Sequence, residues 1–343
     1  MAFIHHSNAS RFSIQAQTEA AVCMKNLSNW TPAVAEIHTW PEYTPQPLRT
    51  LPGLAQKLGV NQVFVKDESK RFGAYFGSFK AIGAPYAVYK ILADESYTKT
   101  GVRPSPVELR TFKYRDITKS VTVCVASDGD QGRGLAYGAQ LFGCRCAVYI
   151  HSHVSEGRAD ITKELGAVVI RVYGEYKASV SRAKEDARMN NWFFVSSTSW
   201  PDFDNDIPQH GFYTRLHDNR PSGIPQFIVV EPSEADCLLQ SARHGNQNGF
   251  VAVPDTIAVD SMKTLASGCE GDISVVSGES SAASMCVLLR ASTDSTVRNK
   301  LGLDANSQVL LFVLEGATDS QIFESLVGTS PAAVFAAKGP FAV

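Results

Sequence analysis

The sequence carries almost no excess of charge: 32 Lys and Arg stand against 34 Asp and Glu, a formal net charge of −2, with a pI near 6.5. Without a basic field, nucleic acid is not an expected partner. Long apolar runs are missing too. No stretch approaches the roughly 20 apolar residues that a membrane-spanning helix needs, so no membrane contact is expected. The first residues, MAFIHHSNASRF, lack a basic segment followed by an apolar run, which leads us to expect a cytoplasmic protein. Cysteine is sparse and unpatterned. The seven, Cys23, Cys124, Cys144, Cys146, Cys237, Cys269 and Cys286, are odd in number and lie mostly in apolar surroundings, as core residues rather than a disulfide framework. Cys144-Arg145-Cys146 is not a zinc spacing and no Cys/His pair follows it, so no metal site is expected. Internal repeats and low-complexity tracts are also lacking.

What is present is an alternation of short apolar runs and helical spacing. Gln62–Lys66, Val121–Ala126, Ala147–Ile150, Val168–Val172, Trp192–Val195, Phe227–Glu231 and Val309–Leu314 read as buried strands. Between them Gly83–Leu92, Gly132–Phe142, Arg158–Leu165 and Lys177–Met189 have helical spacing. Strands alternating with helices of this length predict an α/β fold of right-handed β-α-β units around parallel sheets. The 343 residues, 44% hydrophobic, suffice for two domains. The expected division is a smaller domain of residues 84–194 and a larger one of 1–83 plus 195–343. Pro104–Pro106 and Pro221–Pro225 are expected as surface loops.

Four segments carry candidate chemistry. In the first, Lys66-Asp67-Glu68-Ser69 leads through Arg71-Phe72-Gly73 to Ser78-Phe79-Lys80-Ala81. A lysine just before a helix of small residues, beside Phe79, Ile82 and Pro85, is partly desolvated, and burial lowers a lysine pKa toward nucleophilic use. An ordinary solvated helix lysine is the plain alternative. In the second, Ala126-Ser127-Asp128-Gly129-Asp130-Gln131-Gly132-Arg133-Gly134 joins a strand to a helix. Glycines there let the backbone turn tightly and aim N–H groups at an anion, at the sheet edge where ligands bind in open α/β folds. Asp128 is the acid/base candidate of that turn, and capping the turn is its ordinary alternative. The third, Ser277-Gly278-Glu279-Ser280-Ser281, and the fourth, Glu315-Gly316-Ala317-Thr318-Asp319, each follow an apolar run. Taken singly, either is equally a helix cap.

In this order, KDESKRFG, SFKAIGA, ASDGDQGRGLAYGAQLFG, VEPSEADCLL, VVSGESSAA and KLGLDANSQVLLFVLEGATD resemble the diaminopropionate ammonia-lyases, over most of Thr44 to Asp319. The resemblance implies a two-domain fold of the tryptophan synthase β-like class, with pyridoxal 5'-phosphate as cofactor. It makes Lys80 the Schiff-base lysine and Asp128 the acid implicated in proton transfer at the substrate's α-carbon. Asp130, Gly132, Ser277, Gly278 and Glu315 become the further cofactor-binding residues. The implied reaction removes the β-amino group of 2,3-diaminopropionate, or of a similar small amino acid, giving pyruvate and ammonia. A homodimer is the expected assembly. The VEPSEADCLL and EGATD segments argue against a threonine dehydratase or a cysteine synthase.

The chain also departs from that family. Asp130-Gln131 replaces Asn-His, and two residues are added within AYFGS ahead of Lys80. Only Thr214–Gln226 spans the interval where the family has a strand, a glycine-rich phosphate loop and a helix. The segment between Ala252 and Ser277 is shortened as well. Fewer donors to a phosphate, at about 1.5–3 kcal/mol per charge-assisted bond, predict weaker cofactor binding. A second reading follows from the missing loop: a degenerate member that keeps the fold without cofactor chemistry and binds, or acts on, another small molecule.

Overall fold

The structure, a computed structural model, describes residues 4–6, 27–41, 43–73, 76–196, 228–233, 249–269 and 271–337. Strand β1 (Ile4–His6) and helix α1 (Leu27–Ile37) precede β2 (Leu48–Thr50), α2 (Pro52–Leu58) and β3 (Gln62–Asp67). The long helix α3 (Lys80–Thr100) and the short α4 (Pro106–Arg110) and α5 (Arg115–Thr118) lead into an alternating run. That run is β4 (Thr122–Ala126), α6 (Asp130–Phe142), β5 (Arg145–His151), α7 (Glu156–Glu164), β6 (Val168–Val172), α8 (Tyr176–Asn190) and β7 (Phe193–Phe194). Then come β8 (Ile228–Pro232), β9 (Gly249–Val253), α9 (Asp255–Ser267), α10 (Glu279–Thr293), α11 (Ser295–Lys300), β10 (Gln308–Val313), α12 (Ser320–Val327) and α13 (Pro331–Ala336). The chain divides into two units, one of residues 26–44 and 71–218, the other of residues 1–25, 45–70 and 219–343.

In the unit of 26–44 and 71–218, β6-β5-β4-β7 form a sheet in that order with every pair parallel. β4 is buried at every position, as a strand covered by helices on both faces must be. One face packs Val123, Val125 and Val148 against α3 and α6; the other packs Cys124, Ala126 and Tyr149 against Ala183 and Ala187 of α8. Helix α3 is longer than its apolar core predicts and starts at Lys80 itself. Helix α6 takes in Asp130 and Gln131, which the sequence places in the preceding turn. Pro106, expected in a loop, opens α4, because Ser105 and Glu108 form a reciprocal capping box and a helix tolerates Pro at its first position.

In the other unit, β10-β3-β2 and β1-β9-β8 form two three-stranded sheets. The pairs β10–β3 and β8–β9 are parallel, while the edge strands β2 and β1 run antiparallel to theirs. Helix α10 serves both sheets. Met285 and Leu288 join the core over β3 and β10, whereas Ala283, Cys286, Val287 and Ala291 join the core over β8 and β9. Among the described residues no helix is long and apolar enough to cross a membrane. The five described cysteines are free; Cys124, Cys146 and Cys286 are buried.

Candidate active site

Lys80 is the first residue of α3 and is half-buried. Its placement follows from the loop before it, where Phe72, Gly73 and Gly77 all have positive φ, at 55°, 78° and 50°. Glycine adopts that region freely, but a phenylalanine does so only under constraint. Here the constraint is burial. The Phe72 ring is 2% exposed and sits among Trp40, Tyr43, Phe76 and Tyr137 with centroid separations of 5.7–6.5 Å. Ala81 joins the same cluster, so the first turn of α3 is anchored beside the lysine.

Helix α6 then approaches α3 closely, because α6 carries glycine where they meet. A β-carbon on Gly138 would stand 2.6 Å from the Pro85 Cα, and one on Gly134 would stand 3.0 Å from the Lys80 carbonyl oxygen. The lysine's backbone and the first turns of α6 are therefore held together within one unit. Gly132 makes room on another side, since a β-carbon there would stand 2.7 Å from the Val148 side chain. Its N–H donates to Gly129 O at 3.0 Å and to Ser127 Oγ at 2.9 Å. Gly129 faces open space, with nothing within 4 Å of a β-carbon there.

Two carboxylates border that turn. Asp130, at the first position of α6, is 7% exposed, and neither of its oxygens has a hydrogen-bond partner. A buried carboxylate without a donor is costly, and such groups concentrate where a ligand completes the network. Asp128 has Oδ1 unpartnered and Oδ2 3.3 Å from His151 Nε2. Burial pushes its pKa up, while His151 and Arg158 pull it down, with the net shift upward. Partial desolvation moves a carboxyl toward the range in which it can exchange protons near neutral pH. Sequence reasoning missed His151, which ends β5; its only local signal is a histidine at the C-terminal end of a buried strand.

The other two segments meet in the other unit. Gly278 N donates to Glu315 O at 3.0 Å, and Glu315 N donates to Ser281 Oγ at 2.9 Å. A β-carbon on Gly278 would lie 2.7 Å from Gly316 O, and one on Gly316 would lie 2.8 Å from Ser69 O. The SGES turn, the EGATD turn and Ser69 are thus packed backbone to backbone past the C-terminal ends of β3 and β10. Ser277 is fully buried and turns its hydroxyl to Gly278 O at 3.2 Å. Ser281, rather than the exposed Ser280, ties the two turns together. The segment Thr214–Gln226, where the phosphate loop is wanting, and most of VEPSEADCLL lie outside the described residues.

Two of these features suit pyridoxal phosphate, an amine at the start of a helix and open space over the Gly129 turn, whereas the buried Asp130 carboxylate would repel the cofactor's phenolate oxygen while ionised. A family model described as pyridoxal-phosphate dependent enzyme matches residues 39–206. Over 90% of this chain and 94% of the relative, it is 26% identical to a diaminopropionate ammonia-lyase of Salmonella typhimurium. That alignment runs over 388 positions, while the 90% of this chain that it covers is about 309 residues, so about 79 positions fall opposite gaps in this chain. The diaminopropionate ammonia-lyase of Escherichia coli K12 is 26% identical over 83% of this chain and 87% of its own. A crystal structure of the holo form of the Escherichia coli enzyme superposes with a TM-score of 0.79 at 23% identity, covering 95% of this chain and 97% of that one. O-ureido-L-serine synthase shares the fold more distantly, with a TM-score of 0.58.

Proposed function

We propose that this chain is a pyridoxal-phosphate-dependent ammonia-lyase acting on 2,3-diaminopropionate or a similar small amino acid. The observation that carries the reading is Lys80 at the head of α3, its carbonyl oxygen packed against Gly134 of α6, the helix that begins at Asp130 just after Asp128. Relatives matching this chain over nearly its whole length are diaminopropionate ammonia-lyases, and an Escherichia coli lyase structure holds D-serine.

In this reading the bound cofactor supplies the electron sink for negative charge at the substrate's α-carbon. Lys80 would hold the cofactor through its amine and, with that amine free, would take the α-proton of the substrate. Asp128 works on the opposite face or gives a proton to the leaving amine. Acid and base roles fall to these two because one is an amine at a helix start and the other a carboxyl whose pKa burial raises. Asp130 and Gly132, with Ser277, Gly278 and Glu315, are the remaining cofactor contacts of the reading. A cytoplasmic homodimer belongs to the same proposal. The degenerate alternative draws no support from the described residues, which retain Lys80, Asp128 and both glycine turns.

Pyridoxal phosphate added to the purified chain should give absorbance near about 410 nm that borohydride removes and that Lys80→Ala abolishes. Pyruvate and ammonia should then appear from 2,3-diaminopropionate. Retention of the band in Lys80→Ala would remove Lys80 from its role. A fully loaded enzyme that releases no pyruvate from any small diamino or hydroxy amino acid would remove the lyase reading.

A further inference from the structure

We propose that His151 is a positioning residue for Asp128: its Nε2–H holds carboxylate oxygen Oδ2 and leaves Oδ1 to exchange a proton with the substrate. The inference rests on the lyase reading for its second half only. The first half is a statement about the resting protein.

The two residues meet because β4 and β5 are parallel neighbours in register, Ala126 opposite Tyr149, and both chains leave the sheet at the same edge. Ser127 N donates to Tyr149 O at 2.9 Å, which continues that register one residue past β4. His151 Nε2 then lies 3.3 Å from Asp128 Oδ2. On the far side of the ring, His153 N donates to His151 Nδ1 at 3.1 Å. An imidazole nitrogen that accepts an N–H carries no proton itself, so the neutral ring bears its proton on Nε2, facing the carboxylate. The histidine is thus locked from both sides: a backbone amide fixes its tautomer, and the tautomer presents the donor.

Other charged groups surround the pair. Arg158 of α7 and Tyr176 at the head of α8 face Asp128 electrostatically. Arg171 of β6 donates to His151 O, and the His153 ring lies 5.7 Å from that of His151 and pairs with Glu175 at 3.5 Å. None of these offers Asp128 Oδ1 a hydrogen bond. Of the two oxygens, Oδ2 is therefore oriented by the histidine, and Oδ1 is buried without a hydrogen-bond partner until a substrate proton completes it. Without the histidine the carboxylate could rotate, and burial would act on it with less opposition.

The experiment uses the holoenzyme. In histidine labelled with nitrogen-15, the His151 ring should show the Nε2–H tautomer, and Asp128→Asn should move its signals. An Nδ1–H tautomer, or signals indifferent to Asp128→Asn, would overturn the proposal whether or not the enzyme is active. In turnover, His151→Phe should lower kcat about tenfold with little change in KM, part of the about 10²–10⁴ that a well-placed acid/base group contributes. It should also move the Asp128 limb of the pH profile to higher pH. His151→Gln, which keeps a side-chain N–H donor, should recover most of kcat. A His151→Phe enzyme with the parent profile would sink the idea. Absence of lyase activity in the parent chain, with the expected nitrogen-15 result, would instead remove the lyase reading and leave the His151–Asp128 relationship standing.

Discussion

The Lys80 carbonyl oxygen lies 3.0 Å from the point where a β-carbon on Gly134 would stand, so the lysine's backbone position is set by the absence of a side chain on the neighbouring helix. One turn on, Gly138 gives the same room to Pro85, whose missing N–H already weakens the helix ladder there. The helix contact that places the lysine depends on two glycines spaced one turn apart.

Substituting each should therefore act differently. Gly138→Ala sets a β-carbon 2.6 Å from the Pro85 backbone, which cannot move aside as a side-chain tip would. Overpacking costs about 1–3 kcal/mol, more than the about 1 kcal/mol that alanine adds in helix propensity. Thermal melts should show a lower Tm. Gly134→Ala meets a looser contact, and its main effect should be on cofactor titration, because the atoms that must give way belong to Lys80 and Ala84.

Asp130→Asn should stabilise the protein and tighten pyridoxal phosphate. The carboxylate is buried with neither oxygen satisfied, and a neutral amide in its place is less costly to bury, since the penalty for a charged group exceeds the about 1–3 kcal/mol of a neutral one. An amide can also donate to a phenolate oxygen, which an ionised carboxylate would repel. Denaturant melts of the apoprotein and a cofactor titration check the two halves separately. A less stable variant would mean that Asp130 has a donor partner after all.

Asp128 makes the chain's stability depend on pH in a defined direction. Its pKa in the folded chain is raised above the ordinary aspartate value of 3.8, chiefly by burial, with His151 and Arg158 opposing. The folded state thus favours the protonated form, an advantage present in full below pH 3.8 and lost as pH rises through the folded-state pKa. Asp128→Asn removes that dependence. The difference in Tm between variant and parent should be small in acid and increasingly favour the variant toward neutral pH. A difference that runs the other way would show the His151 pairing to outweigh burial.

Asp272 tests the shortened segment between Ala252 and Ser277. Its two carboxylate oxygens accept from Gly53 N at 2.7 Å and Leu54 N at 2.8 Å, capping α2 from a distant part of the chain. The residue is 9% exposed, so Asp272→Ala leaves two buried N–H groups unpaired, at about 1–3 kcal/mol each. Urea unfolding should register that loss, while Asp272→Asn, which keeps one acceptor, should lose less.

The sequence by itself determined the type of each element it named, seven strands to within a residue or two, and the four polar turns, while β1, β2 and β9 went unnamed. Those signals are local: β4 is apolar at nearly every residue because both its faces are covered, and the glycines of the turns mark their own backbone needs. The places of Lys80 and Asp128 in the fold, at a helix start and just past a strand end, were legible for the same reason. What only the tertiary structure decided are the meetings between elements distant in sequence. His151 faces Asp128 through the register of two parallel strands, and Gly278 and Gly316 pack against Glu315, Gly316 and Ser69 through close backbone approach. Asp130 belongs to α6 rather than to its turn, and Ser281 rather than Ser280 binds Glu315. Such contacts depend on crossover connections and on which side chain is absent opposite, and a periodicity read along one strand or helix carries neither.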